Sequence, residues 1–208
     1  FAVATVVLFA AIFFTHGLNK ESVVAFAGTM LAVLATGLFA IIAVKATGLS
    51  GFAAEEAVYL NFNTKGTLDF TGLLLGAIIL GVLGVLDDIA ITQAAVVGEL
   101  YGARPDMGRF EAYRRAIRVG REHVGALVNT LVLAYTGASL PLLLLFYLSP
   151  AAPSSIINME IVATEIVRAI VGSVGLILTV PLTTHLAVWF LHGHERSRTD
   201  VHQHIHTS

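Results

Sequence analysis

Long apolar runs separated by short polar connections dominate the chain, and they predict five membrane helices. A hydrocarbon core of about 30 Å takes roughly 20 apolar residues as a helix. Strands of a membrane barrel would be about half as long and would alternate in polarity. Backbone groups in lipid must also pair within their own segment. We therefore expect an all-α, polytopic transmembrane bundle, with helices over residues 1–16, 22–46, 71–98, 124–148 and 156–191.

Two of the connections have the pattern of amphipathic helices that lie at the membrane surface. Residues 47–70 mix acidic and basic side chains with a set of apolar ones. In residues 102–122, Phe110, Tyr113 and Ile117 recur at helical spacing among arginines. An apolar stripe beside basic residues favours an interfacial helix.

Composition excludes a water-soluble domain and several kinds of site. Of the 208 residues, 56% are hydrophobic and 12% are charged, whereas soluble domains have about 25% charged residues. The chain has no cysteine, which removes disulfides and thiolate metal sites. A net charge of −2 gives no reason to expect nucleic acid as a partner.

The basic residues predict an orientation in the membrane. Six of the twelve Lys and Arg residues fall between Arg104 and Arg121, and short loops rich in Lys and Arg stay cytoplasmic. We therefore expect residues 102–122 and the tail, residues 192–208, in the cytoplasm, with Phe1 outside. Because the sequence opens inside an apolar run, we also expect an upstream helix and an extracytoplasmic domain before it.

Two adjacent carboxylates in the third run are the most informative polar residues. A carboxylate at the bilayer centre costs at least ~2.5–3.5 kcal/mol on insertion scales, so such groups face a bundle or a wet cavity. Asp88, Thr92 and Glu99 return to one helical stripe. Asp87 and Gln93 lie off that stripe. The pattern therefore predicts that Asp88 faces the bundle interior.

Polar residues of three helices fall at comparable depths when counted at about 1.5 Å per residue. One expected layer contains Asp88, Thr136 and Thr179, and a second contains Thr92, Asn129 and Thr183. With Asp87, these six residues form the predicted polar seam. The seam has two interpretations, a proton or ion site and a hydrogen-bond network that only fixes helix packing.

A secondary charged cluster lies near the outer end of the last run, at Glu160, Glu165 and Arg168. Glu165 and Arg168 are three residues apart, which predicts a partly hydrated ion pair on one helix face.

The histidine-rich tail is expected to be disordered. His202, His204 and His206 alternate along it and could bind a divalent metal weakly, but their spacing matches no closed metal site. We therefore expect no resident metal.

Enzyme signatures are absent from the sequence. It has no glycine loop with Lys for nucleotides, no HExxH and no nucleophile elbow. We expect neither an enzymatic activity nor a cofactor.

Three motifs carry a resemblance to a known family. They are LGVLGVLDDIAITQAAVVGEL, GALVNTLVLAYTGASLPLLLLF and EIVATEIVRAIVGSVGLILTVPLTT, and they resemble the bacterial YibE/F-like membrane proteins. The resemblance implies a multi-pass plasma-membrane protein with an upstream helix and an extracytoplasmic region.

A weaker similarity is to the membrane halves of SecD/SecF and other RND-type transporters. It lies in mid-helix carboxylates, a short arginine-rich connection and a following helix with Asn-Thr. That similarity implies proton coupling at Asp88, Asn129 and Thr136, and membrane halves that work in pairs, as a homo- or hetero-oligomer. It is an analogy of fold.

Two hypotheses for function follow. In the first, the chain is the membrane half of a proton- or cation-coupled transporter or export component whose cargo the sequence does not identify. In the second, it is a structural or scaffolding membrane subunit, and the buried polar layer only specifies helix packing. The lipid bilayer is the partner in both.

Overall fold

The structure is a computed structural model that describes residues 2–53, 55–150 and 153–192. Within those ranges every regular element is a helix, which confirms the expected all-α class. The helices are α1 (Ala2–His16), α2 (Lys20–Thr47), α3 (Glu55–Asn63), α4 (Phe70–Ala103), α5 (Arg109–Ala138), α6 (Leu140–Tyr147), α7 (Pro153–Ile157) and α8 (Glu160–Leu191).

Three of these helices, α2, α4 and α8, are long and apolar enough to cross a membrane. A fourth span exists if α5 and α6 count as one, although they are bent by 60° at Ser139. Pro141 lies in the first turn of α6, where its missing N–H is tolerated. The described part of α1 has 15 residues, about 22 Å of helix. The structure therefore supports three or four spans, where the sequence predicted five.

Helices α2 and α8 are antiparallel and pack closely through reciprocal pairs of glycine and threonine. Gly28 of α2 lies against Thr183 of α8, and Gly175 of α8 lies against Thr36 of α2. In each helix the glycine and the threonine are eight residues apart. Small residues allow the backbones of membrane helices to approach. These two contacts hold the central parts of α2 and α8 close together, over about 12 Å of helix.

Helix α4 packs against both of them with a continuous inward face. Val82, Leu86, Ile89, Gln93 and Val97 of this face are buried, each at most 1% exposed. The intervals of three and four residues between them are those of one helical stripe. This face fixes the rotation of α4 and so decides where its aspartates point.

The basic segment differs from its prediction, because residues 109–122 are the first part of α5 and not a separate interfacial helix. Ala112, Ala116 and Gly120 of this part are buried. The Arg109 guanidinium lies 5.6 Å from the ring centroid of Trp189. Helix α8 extends to Leu191, so its last turns give the basic segment a partner to pack on.

A hydrogen-bonded loop joins the ends of α2 and α8. The Glu160 carboxylate accepts hydrogen bonds from the backbone N–H of Ser50 at 2.6 Å and of Gly51 at 2.9 Å. The Ser50 hydroxyl donates to the same carboxylate at 2.8 Å. Gly51 has a φ of 82°, a region that glycine enters without strain. Glu160 is therefore a structural residue of this end of the bundle.

Substituting Gly175 tests the contact between α2 and α8. A Cβ at residue 175 would lie 2.5 Å from the Thr36 hydroxyl oxygen and 3.3 Å from its Cβ. We expect Gly175→Ala to lower the free energy of unfolding in detergent by about 1–3 kcal/mol. Adding Thr36→Ala removes the clashing atoms, and the double variant should then match Thr36→Ala alone.

Gly76→Ala is the matched control for this prediction, because no described atom outside its own helix lies within 4 Å of a Cβ at residue 76. It should leave the free energy of unfolding unchanged or slightly raised. Equal losses in the two alanine variants would show that the close approach at Gly175 is not needed.

Candidate functional site

The two aspartates of α4 differ in their surroundings. Asp87 is half-buried, and its Oδ1 atom is buried without a hydrogen-bond partner among the described residues. Asp88 is exposed, and so is Glu99. The Thr92 hydroxyl donates to the backbone carbonyl of Asp88 at 2.8 Å, so it is bonded within its own helix. The predicted inward orientation of the Asp88 stripe is therefore wrong.

The polar seam does not assemble as predicted. Thr179 and Thr183 of α8 are buried in the core, whereas Asn129 and Thr136 of α5 are exposed. Helix α5 turns a different face inward, which includes Gly120, Val124 and Leu131. In a membrane both the lipid-facing and the core-facing sides of a helix are apolar, so polarity alone does not give the rotation.

A buried polar cluster is found instead around Gln93, which lies off the helical stripe of Asp88, Thr92 and Glu99. The Thr184 hydroxyl donates to Gln93 Oε1 at 2.8 Å. The Gln93 amide nitrogen and the Thr183 hydroxyl are buried, with no partner in the described part of the chain. A Cβ at Gly120 would lie 2.6 Å from that nitrogen. The cluster joins α4, α5 and α8 with amide and hydroxyl groups only.

Most other buried threonines are bonded within their own helices. The hydroxyls of Thr29, Thr36 and Thr179 donate to the carbonyls of Ala25, Ala32 and Gly175, at 3.0, 2.7 and 2.8 Å. Such bonds satisfy the hydroxyl without linking two helices. Gln93 with Thr184 thus bridges α4 and α8, and the Tyr101 hydroxyl of α4 also donates to the Val188 carbonyl of α8, at the longer distance of 3.5 Å.

The charged cluster of α8 divides into two parts. Arg168 forms an ion pair with Glu165 at 3.0 Å, with side chains 26% and 29% exposed. Tyr135 of α5 interacts electrostatically with both of these charges, and its hydroxyl is buried. Glu160 takes no part in this pair, because its carboxylate is bound to the loop after α2. Sequence reasoning placed the pair correctly and missed Tyr135.

Metal binding has no candidate among the described residues, where no group of three or more His, Asp or Glu side chains comes together. His202, His204 and His206 lie outside the described residues. The uncharged Gln93 cluster cannot exchange protons at physiological pH, since amides and hydroxyls do not titrate there. Asp87 is a half-buried carboxyl group of the transmembrane core without a close ion pair in the described chain, and it interacts electrostatically with His16 of α1.

Comparisons with known proteins give a family and nothing beyond it. The family model described as YibE/F-like protein matches residues 1–193, which contain all the clusters described above. No curated protein and no solved structure matches the chain. The weaker similarity to SecD/SecF and RND-type halves stays a prediction.

A double-mutant cycle tests the bridge between α4 and α8. Thr184→Val keeps the shape of the side chain but leaves Gln93 Oε1 buried without a donor, which should cost about 1–3 kcal/mol of unfolding free energy. In a Gln93→Leu background the same substitution should cost close to nothing, because the acceptor is gone. Chemical unfolding in detergent measures all four proteins.

Thr47→Val is the control, because the exposed Thr47 hydroxyl donates to a carbonyl of its own helix. It should change the free energy of unfolding by less than about 0.5 kcal/mol. Additive effects of the Thr184 and Gln93 substitutions would contradict the bridge.

Proposed function

Since the chain belongs to the YibE/F-like protein family, we propose that it is the membrane half of a proton- or cation-coupled transporter or export component. The observation that carries the proposal is Asp87, a half-buried carboxylate near the middle of α4 whose Oδ1 atom has no hydrogen-bond partner among the described residues. Between Phe70 and Gly98 this helix has no other ionisable side chain except Asp88. Intramembrane carboxylates of this kind are costly and commonly serve ion or proton pathways.

Proton coupling needs a group that is charged in one state of the transporter and neutral in another. A nearby cation favours the charged form of a carboxylate, and Glu165 has such a partner in Arg168. Asp87 has no such close ion pair in the described chain; its Oδ1 atom lacks a hydrogen-bond partner, and it interacts electrostatically with His16 of α1 and with Asp88. A change in hydration or packing around it would change its affinity for a proton. We therefore assign coupling to Asp87 in preference to Asp88.

Asp88 is assigned a different role, because it lies on the outer surface of α4 with Gly81 and Gly84. A carboxylate facing lipid is unfavourable, and glycines on the same stripe would let another helix approach. The proposed partner is a second membrane half, another copy of this chain, packed against the stripe of Gly81, Gly84 and Asp88.

The proposed location is the bacterial plasma membrane, with the arginine-bearing end of the bundle in the cytoplasm. This end consists of residues 102–122, and by the same argument it includes the tail, residues 192–208. The support is the excess of Lys and Arg in a short connection.

A scaffolding subunit is the second candidate function, and the Gln93 cluster favours it. That cluster is the most deeply buried polar contact between helices and contains no titratable side chain. Its chemistry is that of interhelical packing. Neither candidate includes an enzymatic step or a cofactor.

Asparagine variants of the two aspartates distinguish coupling from scaffolding. In energised inside-out vesicles with a dye that reports the pH gradient, wild-type protein should dissipate the gradient when a coupled monovalent or divalent cation is added. Asp87→Asn is nearly isosteric and cannot take up a proton, so the response should fall at least about tenfold. Asp88→Asn should retain it.

Immunoblots and thermal unfolding of both variants check that insertion and folding are unchanged. An undiminished response of Asp87→Asn would contradict proton coupling at this residue. A wild-type protein that gives no response to any cation of the series would favour the scaffolding role.

Single cysteines test partner and orientation together, because the chain has no natural cysteine. On mild oxidation of membranes, Gly84→Cys should give a disulfide-linked dimer. Leu34→Cys, which is also exposed but on α2, should not. Arg118→Cys should react with a membrane-impermeant maleimide in inside-out vesicles and not in intact cells.

Equal dimer yields at residues 34 and 84 would indicate random collision and contradict the proposed interface. Labelling of residue 118 in intact cells would reverse the orientation. Gly137→Cys, at an exposed residue of α5, is a second control for the disulfide experiment and should not give a linked dimer.

A further inference from the structure

A groove between α5 and α8 is a feature that the proposed function leaves unused. It has a volume of about 510 Å³, within the range of about 300–1,000 Å³ that small-ligand sites occupy. It runs along α5 from Tyr113 to Val128, about 22 Å of helix. Its walls are Tyr113, Ile117, Val124, Gly125 and Val128 of α5 with Ile177, Val180 and Pro181 of α8, and Arg121 is the charged residue among them.

The two halves of the groove differ in polarity. Its apolar half continues into the transmembrane part of α5, past Gly125 to Val128. Its other half is lined by Tyr113 and Arg121, which belong to the basic segment of residues 102–122. An apolar channel that ends at a cationic side chain matches an amphipathic ligand whose anionic end stays at the membrane surface.

Arg121 belongs to a stripe of free positive charge. Arg114, Arg118 and Arg121 are exposed and spaced at four and three residues, so they share one side of α5. Their neighbours Arg104 and Arg115 differ from them, because both form ion pairs with the one carboxylate of Glu111. The stripe has no ion pair with any described residue, so its charge is available to an anion.

The opposite wall adds a backbone acceptor at the same depth. Pro181 of α8 has no N–H, so the carbonyl of Ile177 loses the donor that a continuous helix would supply. Both residues line the groove. Gly120 contacts Val180, which puts Arg121 level with this part of α8. The groove is thus lined by a cationic residue on one wall and, on the other, by a residue whose backbone carbonyl lacks its helical donor.

We propose that this groove binds one anionic phospholipid, with an acyl chain along the apolar walls and the phosphate at Arg121. Phosphatidylglycerol fits both walls, since its phosphate pairs with the guanidinium and its glycerol hydroxyls can donate to a backbone carbonyl. Basic pockets between membrane helices bind anionic head groups in this way. The site is separate from Asp87 and from the exposed stripe of α4.

Native mass spectrometry of the full chain in detergent tests the site with two probes, phosphatidylglycerol and the net-neutral phosphatidylcholine. The wild-type protein should retain one phosphatidylglycerol in preference to phosphatidylcholine. Arg121→Gln should lower that preference about fivefold, as expected for one basic residue at a lipid head group. Arg118→Gln removes the same charge outside the groove and should retain most of the preference.

A steric variant tests the apolar half independently. No described atom outside its own helix lies within 4 Å of a Cβ at Gly125 or at Gly137, so a side chain can leave the backbone at either residue without a clash at its first atom. Gly125→Leu should fill the groove and abolish retention of the bound lipid. Gly137→Leu lies on the same helix outside the groove and should leave retention unchanged.

Circular dichroism and thermal unfolding confirm that all four variants fold. Equal losses for Arg121→Gln and Arg118→Gln would indicate attraction to the surface charge alone and overturn the proposal. Full retention by Gly125→Leu would do the same. A protein dimer that Gly125→Leu abolishes, with no bound lipid, would assign the groove to a second copy of the chain instead.

Discussion

The close approach of α2 and α8 is the constraint on which the rest of the structure depends. Each helix supplies one glycine and one threonine to the contact. Gly28 of α2 packs against Thr183 of α8, and Gly175 of α8 packs against Thr36 of α2. Because the two helices are antiparallel, these contacts set both their separation and their register. Helix α4 then packs against both, and the inward position of Gln93 fixes its rotation. The half-buried position of Asp87 and the exposure of Asp88 follow from that rotation.

Charged side chains lie outside the fully buried core of the described chain. The deepest polar groups, Gln93, Thr183 and Thr184, are uncharged. The charged groups are either paired at the edge of the core, as Glu165 is with Arg168, or exposed. Uncharged hydrogen bonds hold membrane helices together at modest cost. The exception is Asp87, a half-buried carboxylate without a close ion pair in the described chain, and this exception is the basis of the proposed function.

The sequence predicted what depends on length and missed what depends on rotation. Runs of about 20 apolar residues can only be helices in lipid, so α2, α4 and α8 were located to within a few residues, with α4 reaching five residues beyond its predicted end. The side of α4 that faces inward could not be read in the same way, because Val82, Leu86 and Ile89 are as apolar as the exposed Leu73 and Leu80. The prediction that polar side chains face the interior is correct for Thr179 and Thr183 and wrong for Asp88, Asn129 and Thr136.

The loop bonds at Glu160 have a mechanical consequence for the bundle. The carboxylate of the first residue of α8 is bound by the backbone that immediately follows α2, at Ser50 and Gly51. Sliding one helix past the other by a turn would break every one of these bonds, so they fix the register of α2 and α8 at this end of the pair. Gly28 against Thr183 fixes it again towards the opposite, arginine-bearing end. A helix pair held at two separated points resists rotation about either of them, so α2 and α8 form one rigid unit.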